Sequence, residues 1–240
     1  MSIKKTLKKI LIKLLHSNNA LAKKVYYTIK VLIEKENEIV SYVPEEDIKV
    51  LQFIRGIKKE IKILIEDEEA MRLFSLVKST AKINGDIAEV GIYEGGSAKI
   101  ICEAKGDKTL HLFDTFTGLP NVTDIDEGLK NGDYSSNYEK VKDYLDYSNV
   151  HIYKGLFPDT AEPIKNKKFS LVNLDVDTYQ STKDCLEFFY DRMNKGGIII
   201  SHDCNRLMGV KKAINDFFKD KETIIRVSLS QCLIIKNGQN

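Results

Sequence analysis

From residue 87 onward, short apolar runs alternate with stretches of helical spacing, and that alternation leaves few folds open to the chain. The runs are IAEVGI (87–92), TLHLFD (109–114), NVHIY (149–153), FSLVNLDV (169–176), GGIIISHD (196–203), ETIIRVSL (222–229) and QCLIIK (231–236). Helical patterns fill 96–105, 137–146, 180–194 and 208–219, and a long polar loop covers 115–136. Strands that alternate with helices imply βαβ units, so an α/β fold with a doubly wound, mostly parallel sheet is predicted. The last two runs meet across Ser230-Gln231, which predicts a closing antiparallel hairpin.

Upstream the texture is helical. One pattern runs from Pro44-Glu45-Glu46-Asp47 to about Ile65, opened by acids where the helix dipole favours them. Another covers Glu68 to Lys82 and is closed by Asn84-Gly85. We therefore expect an N-terminal helical region over 1–80 and one α/β domain over 81–240, an organisation that 240 residues accommodate.

Charge separates the two regions. Residues 1–33 carry eight lysines and no acid; subtracting these eight from the net +2 of the whole chain leaves −6 for residues 34–240. Ile3, Leu7, Ile10, Leu11, Leu14 and Leu15 form an apolar stripe at helical spacing, and a second stripe begins after Ser17-Asn18-Asn19. Three readings stay open: packing on the main domain or on a second subunit as a homodimer, contact with an anionic membrane surface, and nucleic-acid binding. Aromatic stacking partners beyond Tyr26 and Tyr27 are scarce, so the expected partners include no nucleic acid. No apolar run approaches the roughly 18 residues of a membrane span. Lysines interrupt the start, which argues against a signal peptide. Cys102, Cys185, Cys204 and Cys232 lie far apart, in keeping with isolated thiols in a reducing cytoplasm. The expected location is cytoplasmic, with the inner membrane face as the docking place for residues 1–33.

The turn Gly91-Ile92-Tyr93-Glu94-Gly95-Gly96-Ser97 links the first predicted strand to a helix. Glycine there lets backbone approach a ligand closely, at the strand edge where open α/β sheets bind ligands. Its G-x-x-x-G-G spacing is not the G-x-G-x-x-G of dinucleotide folds. Glu89, two residues upstream, suits a ligand with a cationic amine. Asp114 ends the second strand, 23 residues beyond Gly91, where a carboxylate can accept both hydroxyls of a ribose. Adenosyl and dinucleotide ligands are not separated by this pairing.

A second cluster gathers at later strand ends. Asp175 and Asp177 face one side if the strand continues, and the next strand ends in His202-Asp203. Adjacent parallel strands would join Asp175 to Asp203 beside Gly91 and Asp114. Carboxylate oxygens fit Mg²⁺, and His202 as a ligand would shift preference toward Mn²⁺, Fe²⁺ or Zn²⁺. The alternative is that these acids only cap helices.

Six ordered motifs carry a family resemblance. They are Gly85–Gly91 with Gly95-Gly96-Ser97, Phe113-Asp114-Thr115-Phe116-Thr117-Gly118-Leu119-Pro120, and Gly155-Leu156-Phe157-Pro158-Asp159-Thr160. Leu174–Thr182, Gly196-Gly197 through His202-Asp203, and Gly209-Val210-Lys211-Lys212-Ala213 follow. Over about residues 65–235 the chain resembles the macrocin O-methyltransferase family, and more broadly the metal-dependent O-methyltransferases of Rossmann-like fold.

The resemblance implies an S-adenosylmethionine-dependent O-methyltransferase that uses Mg²⁺ or Mn²⁺. Its acceptor would be a small molecule or glycan with vicinal hydroxyls, typically a sugar. Glu89, Gly91, Tyr93, Gly95 and Ser97 would surround the methionine part of the cofactor. Asp114 would hold the ribose, Phe157 would border the adenine, and Asp175 would serve both cofactor and metal. Asp175, His202 and Asp203 would hold the cation, which chelates the acceptor oxygens and lowers a hydroxyl pKa. Many members of the macrocin branch carry Asp-Asp where this chain has His202-Asp203. No separate His or Lys base matches, leaving Asp175 and His202 as catalytic candidates. The loop over 121–136 is expected to form part of an acceptor lid. Rival readings are a metal-independent methyltransferase, a dinucleotide oxidoreductase, and a catalytically degenerate cofactor-binding protein docked to a membrane or partner by its N-terminal helices.

Overall fold

The structure, a computed structural model, describes residues 45–219 and 221–238. The stripes expected over 1–33, and the membrane or subunit contact assigned to them, lie outside the described residues. The chain divides into two compact units at Val50/Leu51. Of the first, residues 45–50 are described, as the opening of helix α1 (Glu45–Glu60). The second, Leu51–Asn240, contains everything below.

Helix α1 stops five residues short of the expected Ile65. Tertiary partners end it: the Lys62 backbone N–H donates to Glu94 Oε2 at 3.0 Å, and Ile63 packs so closely on Gly96 that a Cβ there would meet it at 2.9 Å. Helix α2 (Asp67–Ser79) opens with a capping box, in which the Glu66 N–H donates to Glu69 Oε2 at 2.9 Å. Its buried positions Glu69, Ala70, Leu73 and Val77 keep helical spacing, so one face is covered.

Seven strands follow: β1 (Asp86–Val90), β2 (Leu110–Asp114), β3 (Val150–Lys154), β4 (Phe169–Leu174), β5 (Met193–Ser201), β6 (Ile224–Arg226) and β7 (Cys232–Ile235). Helices α3 (Gly96–Ala104), α4 (Tyr138–Tyr144), α5 (Tyr179–Phe189) and α6 (Met208–Phe218) lie between them. The sheet runs β3-β2-β1-β4-β5-β7-β6, parallel through β5 and antiparallel at β7 and β6. The predicted α/β class, mostly parallel sheet and closing antiparallel pair are all present. Every residue of β4 is buried, as expected of a central strand covered on both faces.

The hairpin is shorter on one side than expected. Strand β6 ends at Arg226, because Ser228 Oγ accepts from the Ser230 and Gln231 N–H groups and draws 227–231 into a turn. Serine hydroxyls compete in this way with the strand ladder.

Register is what makes a site. Val90 pairs with Phe113 and Leu174, and Leu174 pairs with Ser201. The carboxyl ends of β2, β1, β4 and β5 are therefore level, and the next residues on three of them continue the ladder. Gly91 N donates to Phe113 O at 2.9 Å, Asp175 N to Val90 O at 3.0 Å, and His202 N to Leu174 O at 2.8 Å. The chain winds outward from β1 to β3 and then crosses back to β4, so the topological switch point falls between β1 and β4.

Candidate active site

Gly91 sits at that switch point. Its φ is +85°, and a Cβ would lie 1.9 Å from the Asp175 carbonyl oxygen, so no other residue fits without moving β4. Beyond it opens a cavity of about 390 Å³, of the size small-molecule sites occupy. Gly91, Tyr93, Asp114, Phe157, Asp175, His202 and Asp203 all line it. Sequence positions up to 112 apart, from Gly91 to Asp203, are thus brought to one hollow by strand register.

Glu89, Gly95 and Ser97 are not among the lining residues. Gly95 caps α3 in the left-handed region with φ +89°. Glu89 is fully buried beneath the turn, and its Oε1 accepts from Asn173 Nδ2 at 2.8 Å. Burial pushes its carboxyl up to about 8, against the pull of Ser97 and Asn173.

Asp114 organises the glycine turn itself. Oδ2 accepts from the Ile92 and Tyr93 N–H groups at 2.9 Å each, and Oδ1 from Phe116 N at 2.6 Å. Burial raises this carboxyl above its ordinary value, opposed by those three backbone donors. A carboxylate has about four acceptor positions, so one remains for a ribose hydroxyl rather than two. Phe157 lies 5.2 Å from Phe189, nearly parallel to it, and meets Phe113 edge-on, a rigid apolar wall at the cavity.

Asp175, His202 and Asp203 each offer a ligand atom within 4.8 Å of the others. His202 Nδ1 lies 3.2 Å from Asp175 Oδ1 and 2.9 Å from Asp203 Oδ2. Burial works to lower the His202 pKa, but Asp175 and Asp203 outweigh it and push it up to about 12. Two carboxylates and an imidazole nitrogen form a donor set that fits a divalent cation with mixed oxygen and nitrogen coordination.

Three features were not assigned from the residues alone. Asp177 lines the cavity beside this cluster, and burial together with Asp175 and Asp203 raises its carboxyl to about 8. Its period-two relation to Asp175 was the available signal. Glu69 reaches His202 from α2, with Oε2 at 3.3 Å from Nε2, and no local pattern announces that. Third, Tyr93, Tyr134, Asp177 and Asp203 all line the cavity with positive φ, a conformation that non-glycine residues hold only when their surroundings impose it.

The loop after β2 closes one side of the cavity through Leu119, Pro120, Leu129 and Tyr134. It is pinned by buried Asp126, whose Oδ1 accepts from Tyr179 N at 2.8 Å, at the start of α5. Asp126 Oδ2 accepts from Thr123 N and Oγ1 at 3.1 and 3.0 Å.

Comparison with known proteins places the chain in a family. Residues 71–230 match the family described as Macrocin-O-methyltransferase (TylF). The chain is 27% identical over 153 residues to 8-demethyl-8-(2,3-dimethoxy-alpha-L-rhamnosyl)-tetracenomycin-C 4'-O-methyltransferase of Streptomyces olivaceus, covering 56% of this chain and 58% of that one. It is 26% identical over 144 residues to Mycinamicin III 3''-O-methyltransferase of Micromonospora griseorubida, covering 50% and 56%. The chain thus spans little more than half the length of these relatives. The calicheamicin methyltransferase CalS11 shares the fold, with a TM-score of 0.65 at 17% identity over 81% of this chain and 94% of that one.

Proposed function

From a chain that belongs to the macrocin O-methyltransferase family, we propose an S-adenosylmethionine-dependent O-methyltransferase that acts on a sugar hydroxyl of a glycoside or related natural product. The observation that carries this reading is the convergence of the glycine turn, Asp114, and the Asp175–His202–Asp203 group on one cavity. The name of the first relative, a 4'-O-methyltransferase of a rhamnosyl compound, favours a glycosidic acceptor.

When bound, S-adenosylmethionine supplies an electrophilic methyl on sulfur, and a divalent cation, Mg²⁺ or Mn²⁺, supplies positive charge beside the acceptor oxygen. Asp175, His202 and Asp203 are the residues that would hold the cation. Gly91 and Tyr93 would border the cofactor's methionine end, Asp114 would offer its remaining acceptor position to the ribose, and Phe157 would form the apolar wall for the adenine. Asp177 is the carboxylate proposed to take the proton of the acceptor hydroxyl. Leu119, Pro120, Leu129 and Tyr134 wall one side of the hollow, and holding the two reactants together there would contribute much of the rate.

Calorimetric titration with S-adenosylhomocysteine, with Mg²⁺ and then with EDTA, tests the reading. Micromolar binding that Asp114→Ala abolishes is expected. Failure to bind under either condition would remove the methyltransferase assignment.

A further inference from the structure

Buried histidine placed among three carboxylates raises the question of which nitrogen is free to bind. We propose that Glu69 is a positioning residue for His202, fixing the ring so that Nδ1 is the nitrogen offered to a cation between Asp175 and Asp203; this rests on the metal-site reading above. The ring faces Glu69 with Nε2 (3.3 Å from Oε2) and faces the two aspartates with Nδ1. Both ring nitrogens face carboxylate oxygens, which accept; a cation seated between Asp175 and Asp203 would take the place of the Nδ1 hydrogen, while the hydrogen on Nε2 would stay with Glu69. Metal-ligating histidines commonly hand their second N–H to a carboxylate in this way, which sets both tautomer and ring angle.

Glu69 is itself immobilised. Its Oε2 also accepts from Glu66 N at 2.9 Å, its Oε1 accepts from Ser230 Oγ, and the residue is only 4% exposed. One turn along α2, Arg72 Nη1 donates to Gln231 Oε1, clamping the helix to the 228–231 turn. A capping box accounts for the Glu66 contact. It does not require burial, nor the approach to Ser230 and His202 on the far side of the chain. These added contacts make Glu69 a strut between α2 and the end of β5. With nitrogen among its donors, the site should hold Mn²⁺ tighter relative to Mg²⁺ than an all-oxygen site does.

The test uses the full chain and Mn²⁺ alone, followed by electron paramagnetic resonance. Wild type should bind Mn²⁺ with nitrogen hyperfine coupling from an imidazole, a coupling that His202→Asp removes. Glu69→Gln should weaken Mn²⁺ binding about tenfold while the protein still melts cooperatively, and the nitrogen coupling at saturating Mn²⁺ should lose amplitude. Ser230→Ala, which frees Glu69 without touching the cap, should move both readouts the same way by a smaller factor; it keeps the test open if Glu69→Gln fails to fold. Equal Mn²⁺ affinity and coupling in wild type and variants would overturn the positioning role and leave the metal reading standing. Bound Mn²⁺ without nitrogen coupling in wild type would also overturn it. Absence of Mn²⁺ binding by wild type would instead remove the metal reading, and this inference with it.

Discussion

The backbone N–H of Tyr93 lies 2.9 Å from Asp114 Oδ2, and through this contact the end of β2 holds the glycine turn after β1 in its ligand-facing shape. Tyr93 has a φ of 49°, so the turn needs such an external hold. One carboxylate thereby serves the scaffold and, under the proposed function, the ribose.

Asp114→Ala is accordingly expected to do two things at once. It should reduce S-adenosylhomocysteine affinity by more than tenfold in calorimetry. It should also destabilise the empty protein by about 1–3 kcal/mol, because three backbone donors lose their acceptor. A variant that loses affinity at unchanged melting temperature would contradict the scaffold role.

Glu89 makes the stability of the empty protein depend on pH. Its carboxyl is raised from an ordinary 4.5 to about 8, so between those values the unfolded chain is ionised while the folded one keeps its proton. The stability associated with the protonated group is therefore full below about pH 4.5 and declines as pH rises through about 8. Glu89→Gln, which cannot ionise, should gain on wild type by on the order of 4 kcal/mol between pH 5 and pH 8. Denaturant unfolding at the two pH values measures this; a difference that is flat or falls with pH would refute it.

Asp126 and Gly209 invert an ordinary helix rule. Alanine usually stabilises a helix relative to glycine by about 1 kcal/mol. Here a Cβ at Gly209 would sit 2.1 Å from Asp126 Oδ1 and 2.9 Å from the Tyr179 nitrogen. Gly209→Ala should instead destabilise by about 1–3 kcal/mol and open the 121–133 segment to limited proteolysis. Asp126→Ala should produce the same cleavage pattern by releasing the pin. Both variants resisting protease as wild type does would show that the loop is held elsewhere.

Asp177→Asn separates chemistry from binding. Methyl transfer to an accepted sugar substrate should fall by about 10²–10⁴ in kcat, with S-adenosylhomocysteine affinity within a factor of two of wild type. A comparable loss of cofactor affinity would move Asp177 from proton transfer to binding.

Much of the architecture was written into local pattern. Short apolar runs set between stretches of helical spacing named each strand of the sheet, and the glycine turn, Asp114, Asp175, His202 and Asp203 were all visible because strand ends in a parallel sheet share one edge. Boundaries failed where a side chain or a neighbour outbid the local preference. Residues 61–65 leave the helix to meet Glu94 and Gly96, and Ser228 ends β6 early.

Glu69 marks the limit of such reading. In sequence it is an acid in the first turn of a helix, fully explained by the dipole and by Glu66. Its approach to His202, 133 positions away, exists because α2 packs its buried face against the 228–231 turn and the end of β5. The sequence by itself therefore determined which chemistry-bearing residues stand at strand ends, since apolar runs and helical spacing are local properties repeated along the chain. Only the tertiary structure decided which nitrogen of His202 faces which carboxylate. That choice depends on side-chain packing between distant segments, and no local period encodes it.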